Sequence, residues 1–130
     1  MTMPKLVSIK PILAVHDVEA SIAYYMEKLG FTNCWRWEQP PTFGGVSRDD
    51  IEIFFCKDCQ GSPGTWMSVW VDDVDALYEE FQAHGAEIRQ PPTNFPWDVR
   101  EMNVGDPDGH RLRFSMATHQ PDDGIPLPDA

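Results

Sequence analysis

Chemistry in a protein chain needs donor atoms, nucleophiles or flat aromatic faces brought together, and this sequence offers some of each. Cys56-Lys57-Asp58-Cys59 has the spacing of a metal-binding or redox pair. A zinc ribbon needs a second pair of ligands at similar spacing, and the chain supplies none; its remaining cysteine is Cys34. A redox pair sits at a helix start, where the dipole lowers the thiol pKa. Here the motif runs from an expected strand into Gln60-Gly61-Ser62-Pro63-Gly64, a loop. The two cysteines are therefore expected to be chance neighbours, with no disulfide framework. His16, His84, His110 and His119 show no HxH or HxxxH spacing and are expected to be exposed and structural. Ser62 and Ser68 have no evident base, and neither a glycine-rich phosphate loop nor a nucleophile elbow is present.

The aromatic residues are more informative. Five tryptophans in 130 residues stand at Trp35, Trp37, Trp66, Trp70 and Trp97. Strand alternation puts Trp35 and Trp37 on one face. The same rule groups Trp66, Ser68 and Trp70 and turns Met67, Val69 and Val71 the other way, toward the helices. Such surfaces suit planar ligands by stacking, and a tryptophan face also attracts a cation. Phe43 and Phe54 extend the apolar wall, and Glu38, Glu52 and Asp98 are carboxylates near enough in sequence to meet a ligand's positive charge.

The elements that must carry these residues repeat. Val15-His16-Asp17-Val18-Glu19-Ala20 returns as Val71-Asp72-Asp73-Val74-Asp75-Ala76. In both copies an apolar stretch precedes an aspartate placed to cap a helix. The first helix is expected over 18–29, with Val18, Ile22, Tyr25 and Leu29 on one face and Gly30 as its stop. The second is expected over 74–83, with Val74, Leu77, Tyr78 and Phe81 inward and Gly85 after it. Strands are expected at 8–15, 32–38, 45–48 and 51–56, then at 66–71, 86–89, 99–103 and 111–115. Arg48-Asp49-Asp50 and Asp106-Pro107-Asp108-Gly109 read as tight turns, and proline-rich loops are expected at Gln39-Pro40-Pro41 and Gln90-Pro91-Pro92.

The order is βαβββ twice, an α+β fold. One domain is expected over 1–118, with module one over about 6–58, module two over about 65–116 and an acidic, proline-rich tail over 119–130. Each helix covers one face of its sheet and leaves the other as a concave wall, so two units must pair.

The net charge is −11, which repels nucleic acid phosphates and anionic lipid. No apolar run approaches the ~20 residues of a membrane helix, and no signal peptide is visible, so a cytoplasmic location is expected.

Asp17-Val18-Glu19-Ala20-Ser21, Tyr24-Tyr25 and Leu29-Gly30-Phe31 resemble the first-module signature of the vicinal oxygen chelate superfamily, which includes glyoxalases, ring-cleaving dioxygenases and bleomycin-resistance proteins. Val71-Asp72-Asp73-Val74-Asp75 and Asp106-Pro107-Asp108-Gly109 resemble its second-module marks. Val46-Ser47-Arg48-Asp49-Asp50-Ile51, Val69-Trp70-Val71, Leu77-Tyr78 and Pro96-Trp97 with Arg100-Glu101 look most like the bleomycin-binding members.

That resemblance implies a homodimer that sequesters a planar, cationic aromatic ligand, such as a bleomycin-family antibiotic, in a groove between subunits. It implies no catalytic residues, no metal and no cofactor. The ligand-binding residues it implies, together with the alternation above, are Trp35, Trp37, Phe43, Glu52, Phe54, Trp66, Trp97 and Asp98, with Trp35 and Trp97 stacking on the ligand. Two departures stand out: Cys34 occupies a place that is often acidic, and the loop after Trp97 is one residue longer. The enzymes of the superfamily place metal ligands at four positions that match Lys10, Glu52, Trp66 and Arg113 here, of which only Glu52 offers a suitable donor. Pairing of Lys10 or Arg113 with Glu52 is expected to stand in for the missing cation. The alternative reading is a glyoxalase-like or dioxygenase-like enzyme, with Glu52 as a metal-free general base; a third is a scaffold without a ligand.

Overall fold

A computed structural model describes residues 3–118. The expected tail, with His119, lies outside the described residues. The elements follow in the order β1 (Ile12–Val15), α1 (Val18–Glu27), β2 (Asn33–Trp37), β3 (Phe43–Arg48), β4 (Ile51–Lys57), β5 (Trp66–Trp70), α2 (Val74–His84), β6 (Glu87–Phe95), β7 (Val99–Gly105) and β8 (Arg111–Ala117). They form two four-stranded sheets of the same topology, β1-β4-β3-β2 and β5-β8-β7-β6. In each, the first strand pairs in parallel with the fourth, and the other pairings are antiparallel. The sequence repeat is thus a structural repeat.

Both helices start as their sequences dictate. Asp17 accepts from Ala20 N–H at 3.1 Å and Asp73 from Ala76 N–H at 3.0 Å, each satisfying a free donor of the first turn. α1 stops at Glu27, earlier than the expected 29. The chain turns through Gly30 at φ 70°, and the Phe31 N–H returns to Tyr25 O at 3.0 Å. Leu29 is still fully buried, so its apolar character reports packing rather than helix. α2 ends at Gly85 in the left-handed conformation.

Two strands depart from expectation. β1 begins only at Ile12, because Pro11 has no N–H to give, and residues 3–9 before it are exposed and outside any strand. β6 is much longer than 86–89 and runs straight through Pro91-Pro92, where a loop was expected. It is an edge strand, and its pairing to β7 shifts register between Ile88 and Gln90 and again between Gln90 and Thr93. Proline is tolerated in such places because the missing donor has no partner to lose. Gln39-Pro40-Pro41, by contrast, does lie in the loop between β2 and β3.

One core joins the modules. Leu13, Val18, Ile22, Tyr25, Val46, Ile53 and Phe55 of the first pack in a single cluster with Val74, Phe81, Met102, Val104, Leu112 and Phe114 of the second. Polar staples cross the same boundary. Tyr25 donates to Asp106 Oδ2 at 2.7 Å, Tyr24 donates to Gly105 O at 2.7 Å, and Arg48 makes a two-bonded ion pair with Glu80 at 2.7 and 3.0 Å. His110 is another such staple and not the exposed histidine expected. It is fully buried; its Nδ1 accepts from Thr65 N–H at 3.0 Å, which leaves Nε2 to donate to Ala14 O at 2.8 Å. Both partners are distant in sequence, and no local pattern marks them.

The Asp106 turn forms as its sequence demands, with Gly109 N–H bonded to Asp106 O at 3.0 Å and Gly109 at φ 81°. Asp106 Oδ1 accepts from the N–H groups of Asp108 and His110. Burial raises the Asp106 pKa despite these bonds, and the Tyr25 hydroxyl is raised well above its usual value by burial and by the Asp106 charge.

Cys56 and Cys59 correct another expectation: they are joined in a disulfide, with Cα atoms 5.6 Å apart. The end of β4 and the turn at Asp58, with φ 48°, bring the two residues back to back. Cysteine count argues about frameworks, not about a local pair closed by a tight turn.

Candidate functional site

The helices lie against one side of each sheet, so the register identifies what faces the other. On the first sheet, Trp35 pairs across with Gly45, Gly45 with Phe54, and Phe54 with Ile12. The adjoining row holds Trp37, Phe43 and Cys56. Trp35 packs on Phe43 and Phe54 with ring centroids 5.6 and 5.3 Å apart, and Phe43 meets Phe54 at 5.8 Å. Trp35 Nε1 donates to Glu52 Oε2 at 3.2 Å, and Lys10 Nζ lies 3.9 Å from the other Glu52 oxygen. Trp35, Phe43, Phe54 and Glu52 thus form one patch, with Trp37 beside it donating to Glu38 at 3.0 Å.

Gly45 makes that patch possible. A Cβ there would stand 2.5 Å from Trp35 Nε1 and 2.8 Å from Trp35 Cε2. Without a side chain on the neighbouring strand, the indole lies over the sheet instead of standing away from it.

On the second sheet the rows read Trp70, Ser115, Glu101 and then Ser68, Arg113, Asn103. Trp66 lies opposite Arg111, whose guanidinium sits 5.6 Å from the indole centroid. Trp97 belongs to the turn between β6 and β7 and stacks on Phe95 at 4.8 Å with an interplanar angle of 16°. Phe95 escaped the sequence reading, because the residue appeared to belong to a loop. Asp98, next to it, holds that turn at φ 62° while its N–H bonds to Phe95 O at 3.1 Å.

All five tryptophans remain open to solvent in a single chain: Trp35 is 37% exposed, Trp37 64%, Trp66 59%, Trp70 43% and Trp97 56%. Among the described residues no ring contact links the Trp35 patch with the Trp97 pair. A cavity of about 320 Å³ is lined by Leu29, Phe31, Leu77, Phe81 and Phe114, together with Asp49, Asp50, Trp70 and Asp72. Trp70 lines that hollow, whereas Trp35, Trp37, Trp66 and Trp97 do not.

The four positions where superfamily enzymes hold a metal do not fit one here. Lys10 pairs with Glu52, as the sequence led one to expect. Arg113 does not join them: its Nε lies 3.7 Å from Glu101 Oε2, on the other sheet. Trp66 offers no lone pair, and a protonated lysine and a guanidinium offer none either. Among the described residues no group of three or more His, Cys, Asp or Glu side chains converges. His16 is exposed and hydrogen-bonded to Asp58, and His84 bonds to Glu80 O.

No helix is long and apolar enough to cross a membrane among the described residues. No curated protein matches the sequence. Among solved structures, the bleomycin-binding protein of Streptomyces verticillus, determined with copper(II)-bleomycin, superposes with a TM-score of 0.71 at 27% identity, covering 86% of this chain and 97% of its own. TioX from Micromonospora sp. ML1 gives a TM-score of 0.74 at 23% identity, with 85% and 98% covered. TnmS3, an antibiotic binding protein from Streptomyces sp. CB03234, gives 0.72 at 21%, with 89% and 99% covered. The two less similar structures bear on the fold alone. Residues 5–114 match the profile of the Glyoxalase/Bleomycin resistance protein/Dioxygenase superfamily, and with the paired βαβββ topology already in view, the chain belongs to that superfamily.

Proposed function

We propose that the protein binds and sequesters a planar, cationic aromatic compound, such as a bleomycin-family antibiotic, without transforming it. The observation that carries this reading is the Trp35–Phe43–Phe54 patch with the Glu52 carboxylate hydrogen-bonded at its edge. A flat ring stacks on the indole, and the carboxylate meets its charge. The likeness to the bleomycin-binding protein of Streptomyces verticillus supports the same reading.

The site is a groove between two copies of the chain, in which Trp35 of one subunit stacks against one side of the ligand and Trp97 of the partner subunit against the other. Its support is the exposure of both walls in a single chain, and the exposed apolar run of Met3, Leu6, Val7 and Ile9 beside β1. Exposed apolar side chains that lie together mark interaction surfaces. Trp37, Phe43, Phe54 and Trp66 line the walls, and Glu52 and Asp98 supply negative charge. The cytoplasmic setting expected from the sequence belongs to this proposal. The Cys56–Cys59 bond bears on it, since reducing compartments keep such pairs as thiols.

An enzymatic reading needs donor atoms at Lys10, Trp66 and Arg113 or a free Glu52, and Glu52 is engaged by Trp35 and Lys10. The test is tryptophan emission during titration with metal-free bleomycin and a panel of planar cationic compounds. Saturable quenching that weakens with salt is expected. Turnover of any of these compounds, or absence of quenching across the panel, speaks against the proposal.

A further inference from the structure

The second sheet carries a row of buried polar atoms without a hydrogen-bond partner among the described residues. Glu101 is only 7% exposed and Ser115 1%, although both point to the side of the sheet away from the helices. Glu101 Oε1, Asn103 Oδ1 and Ser115 Oγ are all shielded from solvent, and none has a hydrogen-bond partner among the described residues. The three are neighbours by register: Glu101 pairs across with Ser115, Asn103 follows Glu101 by two residues, and Ser115 pairs with Trp70 on its other side.

Buried acceptors without donors are disfavoured, and native structures rarely keep several together unless something fills the place. A carboxylate oxygen and an amide oxygen can only accept, and a hydroxyl can do both. The complement is therefore a group rich in N–H. The charge already near the row fits that reading: Arg113 Nε approaches the other Glu101 oxygen at 3.7 Å, too far for a hydrogen bond, while nearly half of the side chain stays exposed.

We propose that Glu101, Asn103 and Ser115 form a receptor for an ammonium or other N–H donor carried by the ligand, and that Arg113 stands over Glu101 in its place until the ligand arrives. The proposal rests on the aromatic-groove reading above and adds the second wall's share of specificity. On binding, the donor bonds to Glu101 Oε1 and Asn103 Oδ1, and the long Arg113 side chain swings out to solvent. Trp70, beside Ser115, bounds the site.

Two aromatic probes of equal ring size test it: 2-naphthylmethylammonium and 2-methylnaphthalene, titrated against the full chain by calorimetry. The ammonium probe is expected to bind more tightly, and Glu101→Gln is expected to weaken it by about tenfold or more while leaving the neutral probe unchanged. Arg113→Met is expected to act with the opposite sign and tighten the ammonium probe, because it removes the competing cation. A structural role for the pair would weaken both variants alike. Thermal melts of both variants, and retained neutral-probe binding, report that the fold survives. If both probes bind equally, or Arg113→Met weakens the ammonium probe, the row holds only water and the inference fails while the groove stands. If neither naphthalene binds the wild type, the groove reading fails with it.

Discussion

Gly45 stands directly across from Trp35, and the absence of a side chain there is what lets the indole lie over the sheet. A methyl group would stand 2.5 Å from Nε1, far inside contact distance. Gly45→Ala should therefore push the ring outward and break its bond to Glu52. Strand backbone accommodates alanine, so folding stability should change by no more than about 1 kcal/mol. Emission should shift to the red and affinity for a stacking ligand should fall. An unchanged spectrum with unchanged binding would show that the ring is held by Phe43 and Phe54 alone.

Trp35→Ala and Trp97→Ala should each lower affinity for the planar ligand by about 3- to 10-fold, the value of one good aromatic contact. Mixing the two variants provides a sharper check. If the sandwich spans subunits, a heterodimer of the two keeps one groove with both tryptophans and one with neither. Mixed protein should then recover a high-affinity class of sites that neither variant has alone. Failure to recover any, in protein shown to be dimeric by sedimentation, would place both residues of each site on the same chain.

Tyr25 and Asp106 tie the modules together through a buried bond of 2.7 Å. Tyr25→Phe should cost about 1.5–3 kcal/mol, because it leaves a largely buried carboxylate short of a donor. The pH dependence follows from the raised Asp106 pKa. The folded state holds that proton more tightly than the unfolded chain, so this group's contribution is full below the ordinary aspartate range. It declines as pH rises through the raised value. Urea melts of wild type and Asp106→Asn across the acid range should show the wild type's relative stability falling with pH and then levelling. A relative stability that rises with pH would mean the carboxyl is lowered instead.

The disulfide makes a countable statement. Alkylation under native, non-reducing conditions should label Cys34 only, and reduction should expose Cys56 and Cys59 as well. Three labelled thiols in protein taken directly from a reducing cytoplasm would fit the proposed location, and a retained bond would argue for an oxidising one.

Much of this was legible in the sequence for identifiable reasons. Asp17 and Asp73 announced both helices because capping is local, and the repeat announced the duplicated sheet. Strand alternation placed Trp35 with Trp37 and Trp66 with Trp70 correctly, since a period of two needs no tertiary information. What escaped depends on neighbours distant in sequence. Pro91-Pro92 reads as a loop until the strand is known to be at an edge. His110 reads as a turn residue until Ala14 and Thr65 close over it. Nothing local in the sequence singles out Glu101 or Ser115, and only the register between β7 and β8 brings them together as buried neighbours whose Oε1 and Oγ have no hydrogen-bond partner among the described residues.

The stacking role of Trp35 is most directly measured by calorimetry on wild type and Trp35→Ala side by side, with metal-free bleomycin and the planar cationic panel. Saturable binding at one ligand per groove is expected for the wild type, with affinity clearly reduced in the variant. Equal affinity in the two proteins would contradict it, as would a wild type that ignores every compound yet takes up a divalent metal tightly and stoichiometrically.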